Sequence, residues 1–246
     1  MTNDLFPECY HHPQVTDSNK RSLEFLSLSL VLGMVAAVSA LLFFAWLSSE
    51  VLEGETQHFD TITRDFVHQF ASPTLTATMR GISFAGSSLF LTTASIAMFL
   101  WFMSRHWRRD AWLFGITVMG AGILNTTLKL TFRRPRPVPF FNLLPPESFS
   151  FPSGHSLASF CFFGALAVIF SARIRNRSIH ILVWTVASVV VFLIGLSRIY
   201  LGVHYTTDVL AGFTAALIWV MVVRFVELRI TRFRSRRVAA SQNIDS

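Results

Sequence analysis

Polar and apolar positions segregate along this chain into long blocks. Six apolar runs, at about 25–47, 82–103, 111–131, 153–172, 179–196 and 208–226, are separated by segments rich in Arg, Pro, Ser or acid. Each run approaches the length a helix needs to cross the roughly 30 Å hydrocarbon core of a bilayer. Inside lipid a helix also satisfies its own backbone hydrogen bonds. The pattern therefore predicts an all-α protein, a six-transmembrane-helix bundle.

The longest connection, 48–80, is patterned differently. Phe59, Ile62, Phe66 and Phe70 recur at helical spacing, while Asp60, Arg64, Asp65 and Gln69 occupy other faces. This predicts an interfacial amphipathic helix between the first and second spans. A helix packed on the bundle fits the same spacing; the interfacial placement would line a lateral entrance for a lipid. His58 and His68 are expected on the surface.

With 52% hydrophobic and 14% charged residues in 246, the chain is no ordinary soluble domain. A net charge of +7 would suit nucleic acid, but the placement of the cations excludes that partner. In a six-span topology Lys20, Arg21, Arg105, Arg108, Arg109, Arg173, Arg175, Arg177, Arg224, Arg229, Arg232, Arg234, Arg236 and Arg237 share one side, fourteen of the 21 Lys and Arg residues. The positive-inside rule makes that side the cytoplasm. Residues 1–21 then form a cytoplasmic tail, 22–228 the membrane domain, and 229–246 a basic cytoplasmic tail. The first apolar run is too long for a signal core and is expected to stay as an anchor in the plasma membrane. Cys9 and Cys161 are too differently placed to pair. His11-His12 has no further ligand at metal-binding spacing.

Cations on the opposite side need another reason. Lys129 ends the third run, Arg136-Pro137 follows in a Pro-rich connection at 132–151, and Pro152-Ser153-Gly154-His155 opens the fourth run. Ser197-Arg198 ends the fifth, and His204 and Asp208 flank the start of the sixth. Ionisable groups at a membrane edge are functional candidates. The His204 to Asp208 spacing puts a carboxylate one turn from an imidazole, where it can fix the tautomer and free the other nitrogen to attack. A snorkelling Arg198 with a capping Asp208 would share that spacing. Lys129, Arg136 and Arg198 offer three cations to phosphoryl oxygens. Ser153 and Gly154 lie where a helix start presents free N–H groups to an anion.

Taken in order, Lys-x6-Arg-Pro at 129–137, Pro-Ser-Gly-His at 152–155 and Ser-Arg-x5-His-x3-Asp at 197–208 resemble the three motifs of the type 2 phosphatidic acid phosphatase (PAP2) superfamily. They span about a third of the chain. The register follows from Lys129 and selects Arg136 rather than Arg134; Arg133 and Arg134 are expected to contact lipid headgroups. Thr206 departs from the family's frequent Pro. The resemblance implies that His204 is a nucleophile that becomes phosphorylated, with Asp208 orienting it. His155 would protonate the leaving group and then activate water. It implies a membrane phosphatase for lipid phosphates or diphosphates, such as undecaprenyl diphosphate, phosphatidylglycerophosphate or phosphatidic acid, with its active site outside the cytoplasm. A phosphotransferase would use the same phosphohistidine with an alcohol in place of water. No cofactor and no metal are expected, because no carboxylate cluster stands among these residues. A six-helix transporter would place its charges near the bilayer midplane rather than at helix ends. The vanadium haloperoxidases that share the phosphate motifs are soluble, against six spans here.

Overall fold

The computed structural model describes the backbone of residues 17–144 and 147–242, and side chains over 33–144, 147–231 and at 233. Cys9, His11 and His12 lie outside the described residues. Eight helices follow one another: α1 (Asp17–Glu53), α2 (Gln57–His68), α3 (Pro73–Ala85), α4 (Ser88–Ser104), α5 (Arg108–Phe132), α6 (Gly154–Ser171), α7 (Arg177–Tyr200) and α8 (Thr206–Gln242). No strand occurs among the described residues.

Five segments are long and apolar enough to cross a membrane: Gly33–Glu53, Arg108–Phe132, Gly154–Ser171, Arg177–Tyr200 and Thr206–Thr231. A sixth crossing is made only by α3 and α4 together, which meet at 45°. The second apolar run, expected as one helix over 82–103, is thus broken. Gly86 ends α3, and the Ser87 side chain caps α4 by accepting the Phe90 N–H at 3.2 Å. The membrane-facing surface carries Trp46, Trp112, Met119, Ile123 and Phe192, while Ser, Lys, Arg and Asp side chains are buried within. Such a distribution belongs in lipid rather than water.

Several helices outlast their apolar runs. α1 starts at Asp17 rather than 25, and α8 continues to Gln242 rather than 226. Arg, Glu, Leu and Ala are good helix formers, so polarity alone does not stop the helix. The boundary expected at 228/229 falls inside a continuous helix. α7 likewise runs through Ser197 and Arg198 to Tyr200.

α6 lies at the centre of the bundle, packed against α5, α7 and α8. Small residues on its buried face, Ser156, Ser159 and Cys161, allow that approach. At the end away from the motifs, Phe102 and Phe114 meet edge to face at 5.6 Å. There Glu227 accepts from Arg109 at 2.6 Å and Arg224 at 2.5 Å, and Arg173 pairs with Asp110 while lying 3.6 Å over the Trp107 ring. Arginines expected only to set topology therefore also tie α5, α6 and α8 together.

Candidate active site

α7 and α8 are joined by the turn 201–205, which carries His204. Asp208 lies in the first turn of α8, where the helix N-terminus favours a negative charge. Both side chains are buried, His204 at 1% exposure and Asp208 at 0%. Asp208 Oδ2 accepts the His204 Nδ1–H at 3.2 Å, the Tyr205 N–H at 2.9 Å and the Ser150 hydroxyl. With Nδ1 donating, Nε2 keeps its lone pair, and Arg136 Nη1 donates to it at 3.0 Å. Burial is the main cause that pushes the His204 pKa down to about 4, with Arg136 and Arg198 adding to it and Asp208 opposing. The imidazole is neutral near pH 7, and its free nitrogen faces an arginine.

His155, the second residue of α6, lies within electrostatic reach of His204, Arg198, Arg136 and Lys129. Its ring packs beside the break between α3 and α4. A Cβ on Gly86 would lie 3.2 Å from His155 Cδ2 and would also collide with the Ile194 side chain. Gly86→Val should therefore displace His155 and lower kcat by about 10-fold or more, as misplaced catalytic groups do. Phosphate-release kinetics alongside a melting curve check this, and an unchanged kcat would refute the contact.

Gly154 is constrained by α5. A Cβ there would come 3.0 Å from Asn125 Oδ1, one turn before Lys129. Glycine thus lets α6 begin against α5, in addition to any approach it offers an anion. Ser153 caps α6: its Oγ accepts from the Ser156 hydroxyl at 3.0 Å, and its N–H donates to the Asp208 carbonyl at 2.9 Å. This bond locks the mouths of α6 and α8 together.

The motif cations also shape the connection 133–151. Lys129 Nζ donates to the Phe149 carbonyl. Arg136 donates to the Ser148 carbonyl at 2.6 Å, the Ser148 hydroxyl at 2.9 Å and the Val203 carbonyl at 2.9 Å. Arg198 donates to the Ser83 hydroxyl on α3. The eight residues chosen from sequence, Lys129, Arg136, Ser153, Gly154, His155, Arg198, His204 and Asp208, come together at one end of the bundle.

Other members of the cluster had no sequence signature. Arg134 does not face lipid headgroups, as was expected of it. Its Nη1 donates to Asp208 Oδ1 at 2.7 Å and its Nη2 to Asp60 Oδ2 at 2.7 Å, with the guanidinium 4.2 Å over the Tyr205 ring. Burial opposes its charge, but Asp208 and Asp60 outweigh burial and raise its pKa. Asp60, on α2, is fully buried and accepts the Thr207 N–H at 2.9 Å and the Thr207 hydroxyl at 2.7 Å. Thr206 hydrogen-bonds Thr63 of α2 at 2.6 Å, so the departure from Pro adds a tie to α2. Ser83, Ser148 and Ser150 are the remaining partners. His68, expected at the surface, is half-buried and stacks on Phe140 at 4.0 Å between ring centroids.

A multi-pass membrane helical bundle that gathers cations, two histidines and an aspartate at its helix mouths defines a phosphate-handling class. Residues 110–231 match the PAP2 superfamily. The chain is 34% identical over 206 residues to phosphatidylglycerophosphatase B of Bacillus subtilis, covering 82% of this chain and 100% of that protein. It is 33% identical over 132 residues to undecaprenyl-diphosphatase BcrC of the same organism, 51% of this chain and 62% of the relative. The crystal structure of a transmembrane PAP2 type phosphatidylglycerolphosphate phosphatase from Bacillus subtilis superposes with a TM-score of 0.73 at 32% identity, over 80% of this chain and 98% of that one. The chain belongs to the PAP2 superfamily and is a membrane phosphatase of that family.

Proposed function

We propose that this protein hydrolyses lipid phosphate or diphosphate headgroups at the extracytoplasmic face of the plasma membrane through a phosphohistidine at His204. The observation that carries this reading is the His204 imidazole, buried and neutral, with Nδ1–H on Asp208 and a lone pair on Nε2 facing Arg136. On substrate arrival, phosphoryl oxygens take the hydrogen bonds of Arg136, Arg198, Lys129 and the N–H groups at Ser153 and Gly154. Nε2 attacks phosphorus, the bond to the leaving oxygen breaks, and His155 gives that oxygen a proton. Water then attacks the phosphohistidine, losing a proton to His155, and the P–N bond breaks to release inorganic phosphate and free His204.

The substrate class rests on the site's position at a helix-bundle end and on relatives named for phosphatidylglycerophosphate and undecaprenyl diphosphate. In α2, Phe59, Ile62, Phe66 and Phe70 face outward, each at least 49% exposed, which suits a helix lying in the headgroup region beside the site. The fourteen cations at the other end assign that end, both termini and the tails to the cytoplasm. Among the described residues no group of three or more His, Cys, Asp or Glu could hold a metal ion. The two acids nearest His204, Asp208 and Asp60, are engaged by Arg134. Purified protein in detergent should release inorganic phosphate from undecaprenyl diphosphate or phosphatidylglycerophosphate, survive EDTA, and be inhibited by vanadate. Loss of activity in EDTA restored by Mg²⁺ would overturn the metal-free step. No release from any lipid phosphate would overturn the reading itself.

A further inference from the structure

We propose that Asp60, acting through Arg134, is a positioning residue that sets the charge behind the nucleophile. The inference rests on the phosphohistidine reading above. Four side chains form one relay: Asp60 on α2, Arg134 in the connection after α5, Asp208 on α8 and His204 before it. The bonds along it are 2.7 Å from Arg134 Nη2 to Asp60, 2.7 Å from Arg134 Nη1 to Asp208, and 3.2 Å from His204 Nδ1 to Asp208. Asp60 and Asp208 are fully buried, so water screens neither charge.

Attack on phosphorus gives the imidazole a positive charge, which Asp208 must balance. Arg134 alone would cancel that carboxylate, because it bonds Asp208 Oδ1 directly. Asp60 neutralises Arg134 from the other side and leaves the relay with one net negative charge for the phosphorylated histidine. Arg134 is held for this task at every N–H the structure resolves in a bond: Thr207 Oγ1 accepts from Nη1 at 2.8 Å and Thr56 Oγ1 from Nη2 at 3.2 Å. Neither Asp60 nor Arg134 touches His204, and neither is placed among the groups that bind phosphate. Their effect should reach chemistry without reaching substrate binding.

Asn is the discriminating substitution. Its side-chain oxygen still accepts the Thr207 N–H at the start of α8, so Asp60→Asn keeps the cap and removes the charge. Outer partners that orient a reacting histidine are worth about 10- to 100-fold in activity. Asp60→Asn should therefore lower kcat about 10- to 100-fold with KM within about threefold. The double variant Asp60→Asn/Arg134→Gln restores one net negative charge and should regain several-fold of that loss. Thermal melting in detergent is recorded for each variant, and kcat is compared only among those that remain folded. Should the double variant not fold, the single variant decides. Wild-type kcat in folded Asp60→Asn, or a folded double variant no faster than the single one, overturns the charge-setting role. The His204→Ala variant measured alongside separates the two readings: activity surviving there removes the nucleophile itself, whereas activity surviving only in Asp60→Asn removes this relay and leaves the nucleophile standing.

Discussion

His204→Ala is expected to lower phosphate release by roughly 10³-fold or more while the protein still purifies as a folded membrane protein. The chemical loss is complete, since no other imidazole has a carboxylate at its Nδ1. His155 lies within electrostatic reach of His204 but has no acid bonded to it among the described residues. The fold should tolerate the change because Asp208 retains its other donors, Arg134, Ser150 and the Tyr205 N–H. The buried hole would cost some stability, readable as a lower Tm. The pH dependence follows from the same environment. His204 binds a proton near 6.5 when unfolded and near 4 when folded, so between pH 6.5 and 4 the unfolded chain holds more protons and stability falls as pH is lowered. Above 6.5 this group contributes no slope. The nucleophile stays neutral down to about pH 4, and any acid limb of kcat/KM due to His204 should lie there. Wild-type turnover in the alanine variant would refute the nucleophile assignment.

What sequence reveals here depends on how far apart in the chain the interacting residues lie. The spans were legible because bilayer thickness imposes a length, and the motif residues because each sits at a helix mouth where charge is out of place. His204 and Asp208 were legible as a pair because one helical turn separates them. Asp60 and Asp208 are brought to one arginine across more than a hundred residues of sequence, and no spacing rule anticipates that. The facing of α2 was misjudged for a related reason. Its Asp60 looked like a solvated face opposite Phe59, Ile62, Phe66 and Phe70, whereas the structure turns the phenylalanines out and buries the acid. In a protein surrounded by lipid, apolar outside and polar inside is a stable arrangement once every buried charge is paired. The break at Gly86-Ser87 did carry a local signal, a Gly-Ser pair inside an apolar run, and Ser87 takes the capping position that such residues favour.

The second large effect concerns His155, whose two tasks can be separated by the choice of leaving group. A lipid alkoxide leaves poorly without a proton, and losing a general acid costs about 10²- to 10⁴-fold. His155→Gln should suffer that loss on a lipid monophosphate. With p-nitrophenyl phosphate the departing phenolate needs little protonation, so the first transfer to His204 should persist while attack by water, which needs a base, stays slow. The expected result is a burst of p-nitrophenolate close to one equivalent of enzyme, followed by slow turnover. A phosphoenzyme that is labile to acid and stable to alkali should accumulate. Glutamine approximates the length of histidine, so the packing against Gly86 and Ile194 is largely kept, and a melting curve checks this. Equal losses on both substrates, with no burst and no trapped phosphoenzyme, would show that His155 does not act as acid in one half-reaction and base in the next. A burst confined to the p-nitrophenyl ester would instead place both proton transfers on the one imidazole that α6 presents opposite His204.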